Sequence, residues 1–283
     1  MHDIFFFTDV HGMYDLYRAA INYCQEQDPE AIIIYGGDAC DRGPDGYRIM
    51  KELLTNPYII YLKGNHEDMF VQAAQEIHKD YQGNATRQQI EDYLYVRLYE
   101  CVPIYNVINN GGWSTLCDWM LDGAPMDFVE RINSLPLTLQ YGYMDFCHAG
   151  GDPKVYTRVI KNEHDPSLIG TKDVEMMLWD RNWLGFGWIP ERICIFGHTP
   201  TPYLPAKYYG LDKATARAHP CKYLGTIDDR LTGYKIDMDT CAHASGNLYV
   251  LNCLTMRAQG FHDINIENEI DKHQIEKIEV IQF

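Results

Sequence analysis

Three short apolar runs near the start of the chain predict buried β-strands. They are residues 4–8 (IFFFT), 31–35 (AIIIY) and 58–62 (YIIYL), and runs of this kind are typical of strands covered on both faces. Between the first two runs, apolar residues recur at helical spacing, and "DGYRIMKELL" does the same between the second and third. This β-α-β-α-β order predicts a parallel sheet whose ligand-binding loops lie at the carboxyl ends of its strands.

The remainder of the chain divides into a helical part and a strand-rich part. Residues 67 to about 135 have a mostly helical pattern, which predicts a helical insertion beside the sheet. The later segments "LPLTLQYGYMDFCH", "RICIFGH", "YKIDMDT" and "NLYVLNCLTM" predict a further sheet packed against the first, and the tail "IEKIEVIQF" predicts an edge strand. Residues 200–232 show no clear period and are predicted to form a loop or partial cap.

Length and composition favour one domain over residues 1–283, because no Gly/Ser-rich or Pro-rich linker and no internal repeat interrupts the chain. No apolar segment approaches the roughly 18 residues that span a bilayer, and the first residues do not read as a signal peptide. We therefore expect a cytoplasmic protein with no membrane partner. Nine cysteines without a CxxC motif predict reduced thiols. The sequence does not indicate an oligomeric state.

The net charge of -16 bears on the choice of partner. Nucleic-acid binding depends on lysine and arginine neutralising backbone phosphates, so a nucleic-acid partner is not expected. Any role in handling phosphate would need positive charge from a local source rather than from the overall balance.

Polar residues follow each predicted strand, where open α/β folds place their ligands. Taken singly, each has a structural explanation: Asp9 could cap a helix, Asp38 could form an Asx-turn, and Asp41 with Arg42 could be a surface ion pair. A lone histidine at a strand end is also more often structural than a ligand. Five strand ends nevertheless deliver such groups to one rim: Asp9 and His11; Asp38, Asp41 and Arg42; Asn65 and His66; His148; and His198.

The donor types indicate a metal site. With His66 read as a possible proton donor, three imidazoles (His11, His148, His198), two carboxylates (Asp9, Asp38) and the amide of Asn65 remain. This set, with no thiolate, suits divalent Mn, Fe or Zn, of which we favour Mn. Six ligands are too many for one catalytic site with an open position, but they divide between two ions if one carboxylate bridges them. Asp38 is the expected bridge, because it is central in the order of strands.

The motifs DxH, GDxxDRG, GNHE, HAG and GHT, in this order, resemble the signature of the calcineurin-like metallophosphoesterases. The DRG ending and the glutamate of GNHE point to the branch with serine/threonine protein phosphatases and bacterial diadenosine tetraphosphatases. The stretch "NNGGWST" at 109–115 resembles phage and bacterial members. The resemblance covers residues 3 to about 256 and implies a four-layer α/β/β/α sandwich of two packed mixed sheets with flanking helices. At "MDTCA", Cys241 replaces the family's usual glycine, which puts the local backbone in question.

The resemblance also implies roles for individual residues. Asp9, His11 and Asp38 would hold one metal, and Asp38, Asn65, His148 and His198 the other. His66 would be the general acid, oriented by Asp41, while Arg42 and Arg181 would clamp the phosphate. The implied reaction is in-line attack on phosphorus by a hydroxide held between the metals.

Three functions are compatible with these residues. The first is hydrolysis of phosphomonoesters, in phosphoproteins or small phosphoesters, by an enzyme of the serine/threonine protein phosphatase type. The second is hydrolysis of dinucleoside polyphosphates such as diadenosine tetraphosphate, for which the Tyr-rich region could supply stacking surfaces through Tyr203, Tyr208, Tyr209 and Tyr223. The third is a catalytically silent binding module, which is disfavoured because the whole ligand set is present.

Overall fold

The computed structural model describes residues 2–81, 83–182, 187–203, 221–227, 230–262 and 277–279. Of the loop or partial cap predicted at 200–232, residues 204–220 and 228–229 lie outside these ranges, while Cys221–Ile227 forms a strand. Within the described residues, no helix has the length and apolar character required to cross a membrane.

The first sheet has six strands in the order β11-β10-β9-β1-β2-β3. Strands β1, β2 and β3 run parallel, whereas β9 pairs antiparallel with β1 and β10 antiparallel with both β9 and β11. The bounds of these strands are Ile4–Phe7 (β1), Ile32–Tyr35 (β2), Ile59–Tyr61 (β3), Asn247–Asn252 (β9), Arg257–His262 (β10) and Lys277–Glu279 (β11).

The second sheet has five strands in the order β4-β5-β6-β8-β7. Strands β5, β6 and β8 run parallel, and the two outer strands run antiparallel to their neighbours. The bounds are Thr138–Tyr141 (β4), Met144–Cys147 (β5), Ile193–Phe196 (β6), Cys221–Ile227 (β7) and Arg230–Asp237 (β8). Both sheets are therefore mixed.

Ten α-helices lie in the described part of the chain, five of them consecutive between β3 and β4. The first two are α1 (Tyr14–Gln27) and α2 (Gly46–Thr55). The consecutive five are α3 (Asn65–His78), α4 (Arg87–Arg97), α5 (Val102–Asn109), α6 (Trp113–Leu121) and α7 (Met126–Asn133). The last three are α8 (Pro153–Asn162), α9 (Thr171–Trp179) and the short α10 (Ala242–Ser245).

Successive side chains of a strand point to opposite faces of the sheet, and this alternation explains how the sheets and helices form layers. On β1, Ile4 and Phe6 join a central core with Phe146 and Ile195 of the second sheet, so the two sheets pack face to face. The neighbouring Phe5 and Phe7 pack instead against the helices on the other face of the first sheet. Helices α8 and α9 cover the outer face of the second sheet through a third cluster, which includes Tyr156 and Met177. These contacts confirm the predicted four-layer α/β/β/α sandwich.

One part of the predicted strand arrangement is wrong. The segments after residue 246 were expected in the further sheet, but β9, β10 and β11 instead complete the first sheet beside β1. Apolar alternation shows that a strand has buried faces, but it does not specify which neighbouring strand supplies the hydrogen bonds. This return to the first sheet brings the α10 region to the same end of the molecule as the loops after β1 and β2.

Candidate metal centre

Two groups of buried side chains meet at the carboxyl ends of the central strands. The first comprises His11, Asp38 and His66, and the second comprises Asp38, His148 and His198. In each group the donor atoms lie within 4.8 Å of one another. Asp38 belongs to both groups, which is the arrangement that a bridging carboxylate requires.

In the first group, His11 is oriented by the backbone of the loop after β2. Its Nδ1 lies 2.9 Å from the carbonyl oxygen of Cys40, and because a carbonyl only accepts, Nδ1 carries the proton. The lone pair of Nε2 is therefore free to bind a metal, and it faces Oδ2 of Asp38 at 3.6 Å. A hydrogen bond of this type commonly fixes the tautomer of a metal-binding histidine.

In the second group, a backbone carbonyl orients His148 in the same way. Nδ1 of His148 donates to the carbonyl oxygen of Gly36 at 2.9 Å, while its Nε2 lies 3.3 Å from Oδ1 of Asp38. Oδ1 of Asn65 lies 3.0 Å from that Nε2 and 2.8 Å from Nδ1 of His198. Asn65 begins helix α3, so its amide oxygen is placed by the first turn of that helix.

Asp9 lies beside the two groups but belongs to neither of them. Its carboxylate accepts a hydrogen bond from Oγ1 of Thr8 at 2.6 Å and from the backbone N–H of His198 at 3.1 Å. Both Asp9 and Asp38 have left-handed backbone, with φ of 55° and 59°. Such conformations in residues with a side chain are uncommon and concentrate at functional sites.

The electrostatics of the cluster are those of a cation site. Burial and the neighbouring carboxylate of Asp239 raise the pKa of Asp9 well above its usual range. Burial alone would also raise the pKa of Asp38, but His148 and His66 outweigh it and hold that pKa well below its usual value. Burial lowers the pKa of His11 and of His198, so both are neutral and able to bind a metal at pH 7. Buried carboxylates with free imidazole lone pairs and an amide oxygen fit divalent cations, which would offset the negative charge.

The predicted acid and its partner lie together at the edge of this cluster. Nδ1 of His66 lies 2.7 Å from Oδ2 of Asp41, and its Nε2 lies 3.8 Å from Oδ2 of Asp38. The backbone N–H of His66 also donates to Oδ1 of Asp38 at 3.0 Å. With Nδ1 bound to a carboxylate, only Nε2 of His66 remains to face a substrate or a metal.

The two predicted arginines contact different residues around the cluster. Nη1 of Arg42 lies 3.1 Å from Nε2 of His243, whose ring is also 5.3 Å from the ring of His11. Nη1 of Arg181 donates to the carbonyl oxygen of His198 at 2.9 Å, which attaches this side chain to the loop after β6.

The comparison with known families agrees with this geometry. Residues 2–224 match the family model described as calcineurin-like phosphoesterase, which is well over half of the chain. The chain belongs to the calcineurin-like phosphoesterase family. Members of the family use divalent metal ions, in agreement with the two groups around Asp38.

Several known proteins resemble this chain in sequence or in fold. Serine/threonine-protein phosphatase 2 of Escherichia coli (strain K12) is 34% identical over 65 residues, which cover 23% of this chain and 29% of that relative. A crystal structure provisionally named as a diadenosine tetraphosphatase superposes with a TM-score of 0.52 at 13% identity, covering 93% of this chain and 95% of that one. A cold-active protein tyrosine phosphatase superposes with a TM-score of 0.50 at 15% identity, covering 93% and 76%. At these identities the two structures show the fold alone.

Glu67 has a larger role than its sequence position indicated. A carboxylate in the first turn of a helix reads as a simple capping residue, and it does bond the N–H of Gly64 at 2.8 Å. It is, however, fully buried and also accepts from the N–H groups of Asp38 and Ala39 and from the hydroxyl of Tyr61, each at 2.8 Å. Glu67 thus ties the loop after β2 to the loop after β3.

His243 was not identified from the sequence either. It lies two residues beyond Cys241, whose φ of 59° and ψ of 48° are the left-handed conformation that glycine adopts most readily. Burial and the adjacent Arg42 lower the pKa of His243 to about 4, so its imidazole is neutral beside the guanidinium. The expectation of glycine at position 241 did indicate an unusual backbone conformation there. It did not indicate the contact between His243 and Arg42, because that contact depends on the pairing of β9 with β1 in the first sheet.

Proposed function

We propose that this protein hydrolyses phosphomonoesters with the help of two divalent cations and that its substrates are proteins phosphorylated on serine or threonine. The observation that carries the proposal is the position of Asp38, which is shared by two groups of metal-binding side chains. Paired cations about 3.5–4 Å apart are typical of enzymes that act on phosphate esters.

The ligands we propose combine the groups described above with the roles that the family resemblance implies, so Asp9 and Asn65 are added and His66 is reserved as the acid. Asp9, His11 and Asp38 would bind one ion, and Asp38, Asn65, His148 and His198 the other. Mn, Fe or Zn would fit these donors, with Mn favoured. When bound, two such ions neutralise charge on a phosphoryl group and lower the pKa of water to about 7.

His66 would supply the proton for the departing oxygen. Burial lowers its pKa, but the carboxylates of Asp38 and Asp41 raise it by more, so the net pKa lies above the ordinary value. This shift favours the form of the ring that has a proton on Nε2 while Nδ1 donates to Asp41. Proton donation to a leaving alkoxide typically contributes about 10²- to 10⁴-fold to the rate.

Arg42 and Arg181 would bind the phosphate oxygens. A planar guanidinium donates two parallel hydrogen bonds to a phosphate and remains charged at all relevant pH values. These two arginines, with the cations, would provide the local positive charge that a chain with a net charge of -16 otherwise lacks. The choice of a phosphoprotein substrate is supported by the 65-residue match to the E. coli serine/threonine phosphatase.

The test is a comparison of substrates with the purified protein loaded with Mn. We expect kcat/KM for phosphoserine and phosphothreonine peptides to exceed that for diadenosine tetraphosphate by about 100-fold or more, a ratio that polar recognition of the substrate can reach. The His66→Asn variant controls for contaminating phosphatases in the phosphopeptide assay, because an alkoxide leaving group depends on the proton of the acid.

Two other results would contradict the proposal and support a different function. Faster cleavage of diadenosine tetraphosphate would identify a nucleotide hydrolase. Two bound metals without turnover of any phosphate ester would identify a binding module.

A further inference from the structure

The turn that carries Asp41 and Arg42 has an unusual backbone. Both residues are left-handed, with φ of 69° and 64°. Side chains with a Cβ disfavour this region, and two such residues in succession persist only where the surrounding structure holds them in place. Since this turn presents the partner of His66 and one of the two arginines, whatever holds it controls the geometry of both.

The connection between α5 and α6, together with the first turn of α6, makes the hydrogen bonds that hold this turn. The N–H of Arg42 donates to the carbonyl oxygen of Gly111 at 2.8 Å. The N–H of Asp41 donates to Oγ1 of Thr115 at 3.1 Å, and the carbonyl oxygen of Gly43 accepts from the hydroxyl of Ser114 at 3.1 Å. Three successive residues of the turn are thus bound by one short segment about 70 positions further along the chain.

The glycines of this segment allow the close approach. A Cβ on Gly112 would lie 2.5 Å from Oδ1 of Asp41 and would also overlap the side chain of Val107. Gly111 has φ of +85°, and a Cβ there would lie 2.9 Å from Cα of Arg42. Backbone without side chains therefore forms the surface against which the carboxylate of Asp41 rests while its Oδ2 faces His66.

We propose that Thr115 and Gly112 are positioning residues for proton donation by His66. Thr115 is fully buried, and its hydroxyl holds the N–H of Asp41, while Gly112 leaves room for the carboxylate. Neither residue contacts the substrate; both act through Asp41. The inference rests on the proposed function, because it requires His66 to be the acid.

The leaving group distinguishes this role from a purely structural one. A poor leaving group such as phenolate depends on a proton from the acid, whereas p-nitrophenolate departs with little assistance. Loss of the alignment between Asp41 and His66 should therefore slow phenyl phosphate much more than p-nitrophenyl phosphate. General loss of folded protein or of metal would slow both substrates equally.

The experiment uses the nearly isosteric change Thr115→Val in the full chain loaded with Mn. We expect kcat for phenyl phosphate to fall about tenfold and kcat for p-nitrophenyl phosphate to fall less than about threefold, as partial loss of acid catalysis would produce. Thr115→Ser keeps the hydroxyl and should restore the wild-type ratio. Gly112→Ala should change the ratio in the same direction as Thr115→Val.

Thr86→Val is the matched control. Thr86 caps helix α4, where its Oγ1 accepts from the N–H of Gln89, so the change removes a hydrogen bond in the same helical part of the chain without touching Asp41. This variant should lose stability but keep the wild-type ratio of the two rates. Equal slowing of both substrates by Thr115→Val, or no rescue by Thr115→Ser, would overturn the proposal.

A second readout does not depend on turnover. In the metal-free protein, exchange of the Asp41 and Arg42 amide hydrogens should be about tenfold faster in Thr115→Val and unchanged in Thr86→Val, since local opening releases these groups. If the wild type hydrolysed neither aryl phosphate, the proposed function would fail, whereas this comparison would still decide whether Thr115 holds the turn. Unchanged exchange in Thr115→Val would refute the positioning role.

Discussion

The imidazole of His66 donates from Nδ1 to Oδ2 of Asp41 across 2.7 Å, and both side chains are buried. A hydrogen bond to a carboxylate at this distance out of water orients the imidazole strongly. The pair leaves a single nitrogen of His66, Nε2, facing the cluster around Asp38. This arrangement is compatible with a proton donor and with a metal ligand, because metal-binding histidines also donate their other ring N–H to a carboxylate.

Replacing the imidazole should separate these two roles. His66→Asn is expected to keep both metals and to lower kcat by at least about 100-fold, the contribution of a general acid. Elemental analysis measures whether the metals are retained, and kcat on phenyl phosphate measures the loss of activity. Loss of a metal ion from this variant would show that His66 is a ligand of the first group rather than the acid.

The carboxylate of Asp41 should set the pH at which the acid stops working. An acid acts only when protonated, so kcat falls as the pH rises through the pKa of His66, which lies above its ordinary value of 6.5. Asp41→Asn removes one of the carboxylates that raise this pKa, and the falling limb of the kcat profile should therefore move to lower pH. A limb that stayed in place would assign the titration to another group.

The parallel start of the first sheet and the polar rim at its strand ends were accessible from the sequence because polar residues directly follow apolar runs. Those runs must be strands, and the carboxyl ends of parallel strands meet. The residues that contact Asp41 and Arg42 from distant parts of the chain could not be predicted in the same way. Thr115 reaches Asp41 from 74 positions away, and a lone threonine at the start of a helix carries no sign of such a contact. His243 reaches Arg42 across 201 positions, through a strand pairing that alternation alone does not specify.

Removing the shared carboxylate should cost both metals together. Asp38→Asn is expected to lower the metal content from about two ions per chain to well below one, because Asp38 is common to the two groups. His11→Ala is the matched comparison, since His11 belongs to one group and should cost one ion. Equilibrium dialysis against Mn followed by elemental analysis measures both. Retention of one ion by Asp38→Asn would mean that this residue does not bridge.

Metal binding should release a proton from His148. Burial lowers the pKa of this imidazole, but Asp38 more than compensates and raises the pKa to about 10 in the metal-free protein. His148 is then protonated at pH 7, and a metal must displace that proton, so apparent affinity should increase with pH by up to about tenfold per unit. Calorimetric titration with Mn in buffers of different ionisation enthalpy counts the released protons. A binding enthalpy that was the same in every buffer would contradict the expected release.

The four hydrogen bonds of Glu67 should make it a stability determinant of the metal site. Each carboxylate oxygen accepts two bonds, one pair from Asp38 and Gly64 and the other from Ala39 and Tyr61. Glutamine has the same shape, but its amide nitrogen donates, so two of these buried donors would lose their acceptor. An unsatisfied buried group costs about 1–3 kcal/mol, and we expect Glu67→Gln to lower the free energy of unfolding by about 2–5 kcal/mol.

Urea unfolding of the metal-free protein measures this change, with Glu26→Gln on the exposed side of α1 as the control. The control should lie within about 0.5 kcal/mol of the wild type, as surface substitutions usually do. Because one lost acceptor serves the N–H of Asp38, Glu67→Gln should also weaken Mn binding, whereas the control should not. A variant that matched the wild type in both measurements would show that Glu67 only caps its helix.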